Sequence, residues 1–191
     1  MILTIEEDKN GILNDEKKTS AEIPIKDITS NEIQNLISQM AEVLVSCGNG
    51  VGLAAPQIGV SKRIFLALKK EFYRPLQQDE KRREAPAIEK VEVYINPRII
   101  NTSKEISPMH EGCLSVPNEY GEVMRHEKVT IRAYNEKGRV FERGASDLHA
   151  QIFQHEIDHL NGILFIQKAK NLKKEIPGKN RSSKTEEFSD L

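Results

Sequence analysis

The sequence predicts a mixed fold in which strands fill the middle of the chain and an amphipathic helix stands on either side of them. Three observations predict it: a capped helical pattern ending at Gly48, a strand-rich stretch closing in a hairpin near Asn135 and Gly138, and a second helical pattern from Ser146 to Asn161. With 191 residues the chain is long enough to bury a core without disulfide or metal staples, and one domain is expected.

The first helix is read in "ITSNEIQNLISQMAEVLVSCG". Thr29 and Glu32 make a capping box, with Ile28 and Ile33 as the hydrophobic staple across it. Ile33, Leu36, Ile37, Met40, Leu44 and Cys47 recur at helical spacing, and Gly48 stops the pattern. Cys47 lies on that apolar stripe and is expected to be a small buried hydrophobe.

"RIFLALK" (63–69) and "VEVYINPRII" (91–100) read as strands, and "KVTIRAYNEKGRVFERG" reads as the hairpin. The charged segment between the first two, near residues 70–90, carries two prolines and is expected to be a solvated insertion. From about Gln167 little remains to bury. A single catalytic domain over 1–170 and a frayed tail over 171–191 are therefore expected.

The charges, 28 Lys+Arg against 29 Asp+Glu, leave a net charge of -1, so no basic field favours nucleic acid or a membrane surface. Two cysteines without C-x-x-C spacing argue against a disulfide scaffold and a zinc ribbon. No apolar run approaches the roughly 18 residues of a membrane span, and the N-terminus turns acidic too early for a signal peptide. A soluble intracellular protein is expected.

The second helix takes Ser146 or Asp147 as N-cap and Gly162 as its stop. It contains "QHEIDHLNG", the H-E-x-x-H pattern. Leu148, Ile152, His155 and His159 fall on one stripe, so both imidazoles are expected to face inward and to need partners. One metal ion satisfies both, and Glu156, turned about 100° from His155 around the helix, is free to serve a water molecule as general base. A pair of hydrogen-bonded core histidines beside a solvated glutamate is the plainer alternative.

A catalytic metal needs a third protein ligand. No histidine follows His159, and the glutamates beyond it, Glu175, Glu186 and Glu187, lie in or beside the weakly structured tail. Upstream, "HEGCLSVP" offers Cys113, whose thiolate completes a Cys-His-His set. Sulfur with nitrogen suits Zn(II), Fe(II), Co(II) or Ni(II) and excludes Mg(II) and Ca(II). The glycine-rich "GNGVGLAAPQIGV" lacks the lysine of a phosphate loop. Opposite a metal, Gln57 becomes a candidate oxyanion donor, with the backbone N–H of Leu114 as the second.

"GVGLAAPQIG", "EGCLSVP" and "QHEIDHLNG", in this order, resemble the three motifs of the peptide deformylase family, over a span from Gly50 to Gly162. The resemblance implies an α+β fold with antiparallel strands packed around a central helix carrying H-E-x-x-H. It implies metal-dependent removal of the N-formyl group from the N-terminal methionine of nascent polypeptides, with release of formate. Carried over by position, Cys113, His155 and His159 hold one divalent ion, Glu156 is the general acid/base, and Gln57 with the Leu114 amide stabilises the tetrahedral intermediate. Fe(II) is the family's usual ion in the cell. The substrates implied are formyl-Met nascent peptides, with the ribosome near its exit tunnel as a candidate partner and the bacterial cytoplasm or an organelle as the compartment.

Substrate contacts are expected from the Val51-Gly52 backbone, and an apolar methionine pocket from Val51, Leu148 and Ile152. Glu111 is placed behind the ligands or at the pocket rim, and Arg125 is expected to pair with Asp158. Tyr120 stands where many bacterial members have arginine, so contacts to the substrate backbone are expected to differ. Two other classes compete: a metallo-endopeptidase, which cuts internal bonds, and an inactive module that holds chain N-termini.

Overall fold

The computed structural model describes residue 2 and residues 19–48, 50–69 and 85–174. Most of the expected insertion, and the tail after residue 174, lie outside the described residues. The fold is α+β, as the resemblance implied.

Helix α1, Asn31–Ser46, starts one residue later than the capping box predicted. Ser30, not Thr29, is the N-cap, and its hydroxyl accepts the Ile33 N–H at 3.4 Å. Ile28 and Ile33 are both buried in one apolar cluster. Gly48 follows with φ 70°, a left-handed conformation that costs glycine little. Cys47 is a correction: it is the half-buried C-cap, beyond the last turn of the buried stripe, and not a core residue.

Strands β1 (Gly52–Ala54), β2 (Ile64–Leu68), β3 (Val91–Thr102), β6 (Lys128–Tyr134) and β7 (Val140–Ser146) form an antiparallel sheet in the order β1-β2-β3-β6-β7. The apolar run of β2 is continuous because both of its faces are covered. Ile64 and Leu66 join the cluster under α1, while Phe65 and Ala67 join the cluster under α2, Asp147–Leu160. Phe65 stacks on Tyr94 at 4.6 Å between centroids, and Phe153 of α2 meets Tyr94 edge-on at 4.9 Å. These aromatic contacts fix α2 against the sheet.

Strands β4 (Ile106–Cys113), β5 (Val116–His126) and β8 (Lys170–Lys174) make a second, three-stranded sheet in the order β4-β5-β8. The β4–β5 hairpin is not among the elements expected from the sequence. The expected domain boundary at residue 170 falls at the start of β8, whose residues pair with β5 although all are exposed. Helix α2 touches both sheets, through β1, β2, β6 and β7 on one side and β5 on the other. Among the described residues, no helix is long and apolar enough to cross a membrane.

Candidate active site

Helix α2 and the β4–β5 hairpin bring the proposed ligands together. Cys113 closes β4 where the register with β5 shifts, and its Sγ lies 3.1 Å from His159 Nε2. One helical turn away, His155 Nε2 lies 3.2 Å from the same nitrogen. The three ligand atoms all fall within 4.8 Å of one another and could hold a metal ion.

The donor chemistry fits such an ion. His155 Nδ1 lies 3.0 Å from Glu111 Oε2. A carboxylate can only accept, so a proton sits on Nδ1, which leaves Nε2 as the nitrogen that can bind an ion beside the sulfur and the other imidazole. Donor atoms held this close repel unless a proton or a metal cation lies among them. Gln57 closes a further side: its Oε1 accepts the Ala54 N–H at 2.7 Å, and its Nε2 donates to Ser115 Oγ at 3.3 Å and Cys113 Sγ at 3.5 Å. Ser115, fully buried, is a site residue that the sequence does not single out, because a serine in a loop carries no pattern of its own.

Glu156 is buried, and its Oε2 has no hydrogen-bond partner among the described residues. Burial pushes its carboxyl up to about 7, against the opposing pull of His155. Gly52 lies directly against it: a Cβ there would sit 2.9 Å from Glu156 Cδ. Glycine at this position lets strand β1 approach the carboxylate.

Behind His155 runs a buried ionic chain. Arg125 donates to Glu111 through Nε at 2.7 Å and a second guanidinium nitrogen at 2.9 Å, and to Asp158 Oδ2 at 2.6 Å. Lys168 donates to both Asp158 oxygens, at 2.6 and 2.7 Å. Burial raises the Glu111 pKa, but hydrogen bonds from His155 and Arg125 outweigh it and hold the carboxyl at about 2. The expected Arg125–Asp158 pair is present, and Glu111 is buried behind His155 at the cavity wall and not in open solvent. Arg125→Met would leave the Glu111 charge buried with half its partners gone. The expected cost is about 3–5 kcal/mol in urea unfolding, and a loss under about 1 kcal/mol would show that water replaces the guanidinium.

The site opens into a cavity of about 410 Å³. Val51, Gly52, Gln57, Leu114, Ile152, His155 and Glu156 line it, as does Cys113. Leu148 also lines it but corrects one expectation: it is 43% exposed at the mouth, while Ile152 on the same stripe is buried. His110, Tyr120 and Gln151 are also among the residues that line the cavity.

An α+β chain in which a cysteine sulfur and two imidazoles converge beside a buried carboxylate, one of whose oxygens has no hydrogen-bond partner among the described residues, defines a metal-dependent hydrolase. The profile of the polypeptide deformylase family matches residues 4–175. The chain is 46% identical to the peptide deformylase of Carboxydothermus hydrogenoformans over 149 residues, 78% of this chain and 84% of the relative. It is 41% identical to that of Borreliella burgdorferi over 136 residues, 71% and 72% of the two chains. A Met-Ala-Ser-bound class I type b peptide deformylase from Acinetobacter baumannii superposes with a TM-score of 0.70 at 33% identity, covering 88% of this chain and 96% of the other. The chain belongs to the polypeptide deformylase family. Its reaction is the metal-dependent hydrolysis of the N-formyl group from the N-terminal methionine of nascent polypeptides, with release of formate.

Proposed function

We propose that Cys113, His155 and His159 are the metal ligands, that Glu156 is the general acid/base, and that Gln57 and the Leu114 N–H stabilise the developing oxyanion. The observation that carries this is the convergence of three ligand atoms beside a buried carboxylate oxygen that has no other partner among the described residues. When bound, a divalent ion supplies the positive charge that acidifies a water molecule and polarises the formyl carbonyl. Fe(II) is proposed as the ion in the cell, with Zn(II), Ni(II) and Co(II) as replacements the donor set accepts.

The chain's own residues then divide the remaining work. Glu156 takes a proton from the attacking water and delivers it to the nitrogen that leaves as the formyl C–N bond breaks. Gln57 is held in one orientation by the Ala54 N–H, which keeps its N–H₂ beside Cys113, and one of the long N–H bonds to Ser115 Oγ or Cys113 Sγ would be exchanged for the developing oxyanion. Leu68 N–H donates to Val51 C=O, and ladder alternation then turns the Gly52 N–H and C=O away from β2 toward the cavity. An extended peptide backbone can pair there, and Val51, Leu148 and Ile152 receive the methionine side chain.

The proposed substrates are formyl-Met nascent chains, met at the ribosome near the exit tunnel, in a bacterial cytoplasm or an organelle. Anaerobically purified protein is expected to release formate from formyl-Met-Ala-Ser and to leave the internal bonds intact. Cleavage of unformylated peptides would instead favour an endopeptidase.

A further inference from the structure

Among the described residues, the three-stranded sheet is covered on one face only. Val123, Arg125 and Glu111 point inward and are buried. Their neighbours along β4 and β5 alternate to the other side. The register pairs Gly112 with Tyr120, His110 with Glu122, and Pro108 with Met124, with Ile106 next along β4, so these side chains share the outer face. Tyr120 is 45% exposed, Met124 52% and Ile106 49%. Tyr120 and Met124 on β5, and Ile106 diagonal to Met124 on β4, thus lie on a sheet face that nothing among the described residues covers.

This stripe is continuous with the active-site cavity. His110, Gly112 and Tyr120 line the cavity and also begin the outer face. From Tyr120 to Met124 is four strand residues, about 13 Å, the length of four residues of extended peptide. Among these apolar side chains the face also carries His110 opposite Glu122, 3.8 Å apart, and His126 opposite Ile106. We infer that the outer face of β4–β5 is a track for the substrate segment downstream of the formylated methionine, and that it favours apolar side chains there. The inference rests on the proposed reading of the cavity as the methionine site. An extended chain leaving that cavity past Tyr120 would place alternate side chains against Met124 and Ile106.

The test compares three probes: formyl-Met-Ala-Ser, an octapeptide extending it with alternating Leu and Ser, and one extending it with alternating Gly and Ser. The expected result is a kcat/KM roughly fivefold higher for the Leu-containing octapeptide than for the Gly-containing one, carried by KM. Met124→Glu, and separately Ile106→Glu, should abolish that difference and leave formyl-Met-Ala-Ser turnover unchanged. Both side chains are exposed, so the variants are expected to fold, and thermal melting confirms it. Equal rates for the two octapeptides, or a preference that survives both substitutions, would overturn the track while leaving the methionine site intact. A dimer that Met124→Glu dissociates, seen by light scattering alongside equal octapeptide rates, would assign the face to a second copy and also overturn it. No turnover of any probe would instead overturn the methionine-site reading on which the track rests.

Discussion

Glu156→Gln is expected to lower kcat for formyl-Met-Ala-Ser by about 10²- to 10⁴-fold, the range that loss of a positioned general base produces. The amide keeps the shape of the carboxylate but cannot take the proton from water. The substitution does not disturb a hydrogen bond to Oε2, because none exists among the described residues. Metal content and KM should therefore change little, since the proposed ligands are untouched and the amide keeps the shape of this part of the cavity wall. Stability should hold or rise, because a buried carboxylate without a full set of partners is replaced by a neutral group. Activity within fivefold of the parent, with metal retained, would remove Glu156 from the role.

The second large effect is expected at the sulfur. Cys113→Ala should reduce bound metal from one ion per chain to well below that, and activity should fall with it. Metal affinity here depends on an anionic donor, since His155 and His159 bring only neutral nitrogens. In the parent protein reconstituted with Co(II), a thiolate charge-transfer band in the near ultraviolet should appear and should be missing in the variant. Chelation of the parent is expected to lower its thermal midpoint as well. An ion that binds only the folded chain contributes about 4 kcal/mol at a thousandfold excess over Kd. A Cys113→Ala protein that retains stoichiometric metal and the band would show that sulfur is not a ligand.

Much of this site is legible in the sequence because its residue types are chemically narrow. Two histidines four apart with an acid after the first, a cysteine upstream and an amide in a glycine-rich loop have few other reasons to coexist. The helices are legible because apolar residues recur along them at helical spacing, and β2 because its apolar run is short and unbroken. The β4–β5 hairpin is not. Pro108, Gly112, Pro117 and Gly121 interrupt its propensity, and its inward positions include Glu111 and Arg125, which break the apolar alternation that marks a strand. Those charges are buried because they satisfy each other and His155 across 14 to 44 positions of sequence, a pairing no local pattern reveals. Strand β1 has three residues, too short for a period to declare itself. The α1 cap slips by one residue because Thr29 and Ser30 are both competent hydroxyls, and only the final packing chooses between them.

The brevity of β1 has a consequence for the protein's behaviour at high concentration. An edge strand with outward-facing backbone groups is a template on which another chain can grow a sheet. Here the Ala54 N–H is already taken by Gln57, and the strand ends where the chain turns into the 3-10 helix Ala55–Ile58. Only about one residue of free ladder remains, enough to grip the first backbone unit of an incoming peptide but too little to recruit a second copy into an aggregate. Lengthening β1 by two or three β-branched residues would remove that protection.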